Sequence, residues 1–80
     1  MLKIKVISPS GTVFEGEASH VIFPGEVGQF EVLPKHAPII STLVKGDIAC
    51  YASDGKEQKI PIQSGFVEVR ADEITACVEE

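Results

Sequence analysis

Residues 47–62 read DIACYASDGKEQKIPI and hold the strongest hairpin signal in the chain. Two strand-like runs, 47–52 and 57–62, flank the tetrapeptide Ser-Asp-Gly-Lys at 53–56. An Asp-Gly pair between such runs suits the positive φ angles of a tight primed turn. This stretch therefore predicts an antiparallel β-hairpin.

Both ends of the chain show the period of two that is typical of strands with one buried face. Near the amino terminus Leu2, Ile4 and Val6 alternate with lysines. Near the carboxyl terminus, residues 66–70 and 73–78 alternate on either side of Ala71-Asp72 and predict a second hairpin. The inward candidates of that hairpin are Val67, Val69, Ile74, Ala76 and Val78.

No window of a dozen residues repeats apolar side chains at the spacing of an amphipathic helix, and Gly and Pro interrupt every candidate. A single sheet would leave one apolar face in water, so the strands must form two layers. We therefore expect an all-β fold, a two-sheet antiparallel β-sandwich of about eight to ten short strands with essentially no helix. At 80 residues, the whole chain (1–80) is expected to form this single domain.

The charge balance excludes some classes of function. Seven basic and twelve acidic residues give a net charge of −5, which argues against binding to nucleic acid or anionic lipid. No apolar run approaches the ~20 residues of a membrane span, and the amino terminus lacks the unbroken apolar stretch of a signal peptide. We expect no direct membrane insertion, so any membrane association would come through a partner protein. Two cysteines are too few for a disulfide framework and favour a reducing compartment.

Catalytic residue types are present, but their spacing does not form a site. His36 lies near Glu31, yet Ser53 and Ser64 lack the strand-to-helix elbow that presents a nucleophile. The glycines at 25 and 28 are not followed by the Lys-Ser or Lys-Thr of a phosphate-binding loop. We therefore expect no enzymatic activity and no cofactor.

A zinc site would need side chains from four distant segments, without the close ligand pairs that usually anchor such sites. Its candidate ligands are His20, His36, Cys50 and Cys77. Buried cysteines that act as small apolar side chains are the more economical interpretation, so no metal is expected.

The central stretch 23–38 reads FPGEVGQFEVLPKHAP, with three prolines and two glycines around one short strand. Proline removes backbone donors, so this segment should run along an edge or an end of the sandwich and present side chains. Val27 and Phe30 either face outward or fold under the loop. His36 either satisfies a backbone carbonyl or reaches a partner. The outward parity of the apolar Ile7 and Ile22 suggests a protein partner.

This central stretch, together with the run Ser-Gly-Phe-Val-Glu-Val at 64–69, strongly resembles the epsilon subunit of F-type ATP synthases, which corresponds to the mitochondrial delta subunit. The resemblance extends from Leu2 to Val78 and covers the amino-terminal domain of that family, a β-sandwich of about ten strands.

The resemblance implies a rotor subunit of the central stalk that couples the gamma shaft to the membrane c-ring during ion-driven ATP synthesis and performs no chemistry itself. Its place would be peripheral, on the cytoplasmic face of a bacterial inner membrane, or on the matrix or stromal face in an organelle. The residues that would face gamma are Ser8, His36, Ser41 and Gln63. Those that would face the c-ring loops are Glu26, Val27, Gly28, Gln29 and Phe30.

Many members of the family continue into a two-helix domain that can block ATP hydrolysis, whereas this sequence stops at Glu80. We therefore expect no inhibitory role and no nucleotide site in this chain. The alternative function is a free-standing β-sandwich module that binds a small ligand or carbohydrate, suggested by fold class alone. Against it, the chain has no Trp and one Tyr, so an aromatic platform for sugars is missing.

Overall fold

A computed structural model describes residues 1–80 and contains nine β-strands and no helix, hence no helical segment able to cross a membrane. The strands are β1 (Leu2–Ser8), β2 (Gly11–Ala18), β3 (His20–Gly25), β4 (Gly28–Val32), β5 (Ile39–Leu43), β6 (Gly46–Tyr51), β7 (Glu57–Ile62), β8 (Ser64–Arg70) and β9 (Glu73–Glu79). The predicted all-β class is confirmed, and so is the predicted number of strands.

Both predicted hairpins form, but their turns differ from the expectation. β6 and β7 pair in register, and the loop between them is not a primed turn, because only Gly55 has a positive φ (88°). There the Asp54 carboxylate accepts a hydrogen bond from the Lys56 N–H (3.0 Å) and supports a longer turn. The two-residue primed turn lies instead between β8 and β9, where Ala71 and Asp72 have φ of 52° and 64°.

The strands join into one continuous hydrogen-bonded sheet, in the order β2-β1-β9-β8-β5-β3-β6-β7, with β4 paired to β3. Every pair is antiparallel except β1 with β9, which run parallel from Lys3 opposite Glu73 to Ile7 opposite Cys77. The purely antiparallel arrangement expected from the sequence is therefore wrong for this pair. A strand with one buried face alternates in the same way whichever direction its neighbour runs, so the pattern could not tell the two cases apart.

Pro24 marks the place where the sheet turns from one layer to the other. β3 pairs with β6 from His20 to Ile22 and with β5 only at Gly25, so its partner on one side changes across Pro24. The Pro24 carbonyl accepts a hydrogen bond from the Val44 N–H (2.9 Å). The N–H that proline lacks would have pointed to this same side of β3, which is the side where the pairing is interrupted. The sequence predicted that residues 23–38 avoid the sheet interior. This prediction is correct for the edge strand β4 and wrong for β3.

One core lies between the two halves of the sheet. A single cluster of 17 buried residues draws on β1, β8 and β9 from one half and on β6 and β7 from the other. Leu2, Ile4 and Val6 are all at most 1% exposed. The five inward candidates of the closing hairpin are buried as well, as their alternation predicted. Since both halves of the sheet line the same core, the sheet curls into the two layers of a sandwich.

Candidate protein-interaction surfaces

The β3–β4 hairpin presents an apolar side chain at its tip. Gly25 pairs with Gly28 at the end of the ladder, which leaves Glu26 and Val27 as the two turn residues. The Val27 side chain is fully exposed (100%), although exposure of a large apolar side chain has a cost in water. Of the two alternatives for Val27, the exposed one is therefore correct.

Phe30 supports this hairpin from below. Its ring stacks on buried Phe23, with ring centroids 5.5 Å apart, and it packs against the core. A Cβ atom on Gly25 would lie 2.6 Å from the Gly28 carbonyl oxygen and 2.8 Å from the Phe30 ring, so only glycine fits there. The proposed ring-facing segment therefore divides into an exposed tip and a structural Phe30, while Gly28 and Gln29 are exposed beside the tip.

A second surface is an apolar groove of about 520 Å³ on the outer face of the sheet. A row of side chains from neighbouring strands forms its floor. Thr42 of β5 pairs with Phe66 of β8, Phe66 with Cys77 of β9, and Cys77 with Ile7 of β1. Phe66 remains 52% exposed, which is unusual for a side chain of this size inside a sheet. This groove, defined by Thr42, Phe66, Cys77 and Ile7, is called the outer groove below.

Gly65 lies beside Phe66, where β8 approaches the backbone of β9. A Cβ atom there would overlap the Cys77 carbonyl oxygen and come within 3.0 Å of the Val78 Cα atom. Both neighbours are backbone atoms and cannot move without disturbing the β8–β9 ladder. Glycine therefore allows the two strands to approach closely next to Phe66.

The rim of the outer groove is polar and acidic. The Ser8 and Ser10 hydroxyls both donate hydrogen bonds to the Glu80 carboxylate, at 2.9 and 3.3 Å. The exposed Gln63 lies at the same end, where its backbone N–H donates to the Glu79 carbonyl (2.7 Å). Of the four positions proposed to face gamma, Ser8 lines the groove and Gln63 adjoins it through its hydrogen bond to Glu79.

The other two proposed positions lie away from the groove floor. The His36 ring contacts the Ala37 carbonyl through Nδ1 (2.7 Å), which requires the proton on that nitrogen because a carbonyl only accepts. The His36 backbone N–H donates to the Leu33 carbonyl (3.1 Å). The Ser41 hydroxyl donates to the Thr42 carbonyl (3.2 Å). His36 therefore makes the local backbone contact that was one of its two alternatives.

Two features of these surfaces were not predicted from the sequence. The exposed Phe66 was not singled out from the sequence, and only the strand order brings it into one row with Cys77 and Ile7. Stacking of His20 on Tyr51 (centroids 4.4 Å apart), with Glu31 3.8 Å from the His20 ring, was not expected at all. Sequence proximity had suggested Glu31 as a neighbour of His36 instead.

The structure brings together no constellation for catalysis or metal binding. No group of three His, Cys, Asp or Glu side chains could hold a metal ion, so the four candidate zinc ligands remain apart. Burial raises the pKa of the Cys50 thiol to about 11, which keeps it protonated and unreactive at neutral pH. The hydrogen bond to the Glu57 carboxylate raises the pKa of Tyr51 above its ordinary value.

Known proteins resemble the chain over its whole length. The family described as "ATP synthase, Delta/Epsilon chain, beta-sandwich domain" matches residues 1–80. The ATP synthase epsilon chain of a Nitratiruptor species is 45% identical over 78 residues, which cover 98% of this chain and 60% of that protein. The epsilon chain of Desulfitobacterium hafniense is 43% identical over 76 residues, 95% of this chain and 57% of that one. The chain thus spans about three fifths of the length of these curated relatives.

Two solved assemblies contain chains with the same fold. One is the Euglena gracilis mitochondrial ATP synthase OSCP/F1/c-ring assembly, with a TM-score of 0.92 at 17% identity, covering 99% of this chain and 51% of the other. The second is the central stalk and c-ring of the Tetrahymena thermophila mitochondrial ATP synthase, with a TM-score of 0.78 at 12% identity, covering 99% and 63%. At such low identities these matches establish the fold alone.

Proposed function

Because the chain belongs to the family of ATP synthase delta/epsilon chain β-sandwich domains, we propose that it is a rotor subunit in the central stalk of an F-type ATP synthase. It joins the gamma shaft to the membrane c-ring during ion-driven ATP synthesis. Its place is peripheral, on the cytoplasmic face of a bacterial inner membrane or on the matrix or stromal face in an organelle.

The observation that carries this proposal is a direct link between two separate apolar surfaces. The Glu26 N–H at the hairpin tip donates to the carbonyl of Thr42 (3.1 Å), and Thr42 forms part of the outer groove. Next to it, Gly25 pairs with Leu43. Ladder hydrogen bonds over a close-packed core resist displacement, so force applied at one surface reaches the other with little deformation. Transmission of torque between two partners needs such a link.

The tip and the outer groove have chemistry suited to different partners. Val27, between Glu26 and Gly28, can insert between the small loops of a ring, with Gln29 beside it as a hydrogen-bonding group. We assign this tip to the c-ring loops. The positions assigned to gamma are Ser8 and Gln63 at one end of the groove, and His36 and Ser41 away from its floor.

A non-catalytic role follows from the same chemistry. Transfer of a phosphoryl group needs converging cations or a cradle of backbone donors, and synthesis of ATP would need a nucleotide site. The Lys56–Asp54 pair and the contact of the His20 ring with Glu31 are half-exposed or exposed and lie outside both apolar surfaces. In the proposed role the subunit acts through contact with its partners and performs no chemistry itself.

Co-purification tests the proposal. The tagged chain should retain gamma, and it should retain the c-ring when gamma is present, at micromolar concentration. Absence of any complex with gamma or with a gamma–c-ring assembly would contradict the rotor assignment. The isolated chain should show no ATP hydrolysis above the buffer background.

The carbohydrate-binding alternative is not favoured. Sugar sites use exposed aromatic faces, and one face of the only Tyr ring, Tyr51, is covered by the stacked His20. Saturable sugar binding in the absence of gamma would reverse this ranking.

A further inference from the structure

The composition of the outer groove restricts what can bind there. Its floor crosses four strands, β5, β8, β9 and β1, and each of them is hydrogen-bonded on both sides. A peptide in extended conformation could not pair its backbone with this floor, since no free strand edge is available. The backbone N–H and C=O groups of such a peptide would lose hydrogen bonds to water and gain none from the floor.

A helix satisfies its own backbone and can lie across such a floor on an apolar stripe. Three interstrand steps separate β5 from β1, a distance of about 14 Å at the usual spacing of strands. About ten residues of helix cover that distance at ~1.5 Å per residue. The half-exposed Phe66 in the middle of the row is the apolar anchor on which such a helix would pack.

The charge of the rim selects the sign of the partner. Glu79 lines the groove and Glu80 lies beside it, bonded to Ser8 and Ser10. Neither carboxylate lies within ion-pair distance of a basic side chain. A second copy of this chain would bring two acidic rims together, and anionic lipid would be repelled as well.

We propose that the outer groove binds an amphipathic helix of about ten residues, with an apolar stripe on Phe66 and a lysine or arginine that pairs with Glu79 and Glu80. This inference rests on the proposed function, since the helix is assigned to the gamma shaft. It adds to that function that the segment of gamma bound in the groove is a helix with a basic side chain. Docking of the basic side chain would compete with the Ser8 and Ser10 hydroxyls for the Glu80 carboxylate.

Binding of gamma by variants of the groove tests the proposal. Phe66→Ala should weaken the affinity by roughly thirtyfold, the scale of an interface hot spot. Ile40→Ala is the matched control, because Ile40 is also a large exposed side chain (74%) on the same face but outside the groove. It should leave the affinity unchanged. Equal effects of the two variants would overturn the assignment to the groove.

The rim is tested by charge. The double variant Glu79→Gln, Glu80→Gln should reduce the salt dependence of gamma binding, because an ion pair is screened and an amide contact is not. Unchanged salt dependence would overturn the basic part of the proposal. Sedimentation of the chain alone should show a monomer, and a dimer that is lost in Phe66→Ala would assign the groove to a second copy instead.

The native Cys77 thiol allows binding at the groove to be followed by alkylation, without any substitution. It lies on the groove floor and is half-buried, whereas Cys50 is buried in the core and serves as the internal reference. Gamma should protect Cys77 from alkylation by iodoacetamide in the complex. Full alkylation of Cys77 while gamma is bound would overturn the groove assignment but leave the rotor function intact.

The helical form is tested by cross-linking. A photoreactive side chain at Thr42 should attach to gamma residues spaced three or four apart, near a lysine or arginine. The same group at exposed Lys59, on the other half of the sheet, is the control and should give none. Attachment to gamma residues at alternating spacing would indicate a strand and overturn the proposal. Failure of gamma to bind at all would overturn the proposed function itself.

Discussion

Phe30 stacks on Phe23, with ring centroids 5.5 Å apart and an interplanar angle of 27°. Through this contact the exposed edge strand β4 is held against the buried strand β3. The hairpin therefore contacts the core through Phe30 and presents Glu26 and Val27 on a separate surface. Stability and partner contact are assigned to different side chains of the same short segment.

This separation predicts opposite effects for two neighbouring substitutions. Phe30→Ala should lower the free energy of unfolding by about 2 kcal/mol, because a half-buried aromatic ring and its stacking contact are lost. Chemical denaturation followed by circular dichroism measures the change. An unchanged midpoint would mean that Phe30 does not support the hairpin.

Val27→Asp is the counterpart at the tip. The side chain is fully exposed, so the free energy of unfolding should change by less than about 0.5 kcal/mol. Affinity for the gamma–c-ring complex should fall by about tenfold, whereas affinity for gamma alone should not change. Loss of the fold in this variant, or equal loss of both affinities, would argue against the assignment of the tip to the ring.

Gly65→Ala should be strongly destabilising. The added methyl would overlap the Cys77 carbonyl oxygen, and relief of this clash requires β8 and β9 to separate. The expected loss of unfolding free energy is about 2 to 3 kcal/mol. Gly16→Ala is the matched control, because its methyl would meet only the Phe14 ring at 3.5 Å, an ordinary contact. Similar losses for both glycines would contradict the steric explanation.

The buried Cys50 thiol should make the free energy of unfolding decrease at alkaline pH. Burial raises the thiol pKa from 9.0 to about 11, so the folded state keeps a proton that the unfolded chain releases. The stability due to this difference is complete below pH 9.0 and is lost as the pH rises towards 11. Urea unfolding at several pH values should show this decline.

Cys50→Ala provides the control for that measurement, because it removes the titrating group and leaves Tyr51 and the lysines in place. The difference in unfolding free energy between the two proteins should shrink as the pH rises. A difference that stays constant over the alkaline range would show that the thiol does not remain protonated in the folded chain.

The alternation of side chains determined much of the fold. Leu2, Ile4 and Val6, and the five inward residues of the closing hairpin, are buried as the period of two predicted. The reason is local, because successive side chains of any strand point to opposite faces. Gly and Pro marked residues 23–38 as a segment that presents side chains, but the sequence left open whether Val27 faces outward, and the structure decided it. The family was recognisable from the motifs of the central stretch and of residues 64–69.

The choice of neighbouring strands depended on the tertiary structure. A strand alternates identically beside a parallel or an antiparallel partner, so the β1–β9 pair could not be inferred from the pattern. The outer groove depends on that pair, since it sets Ile7 beside Cys77 and Cys77 beside Phe66. Side chains far apart in the chain become one surface only when the order of the strands is known. Sequence alone therefore determined which residues face inward, and the packing of the sheet determined which outward residues meet.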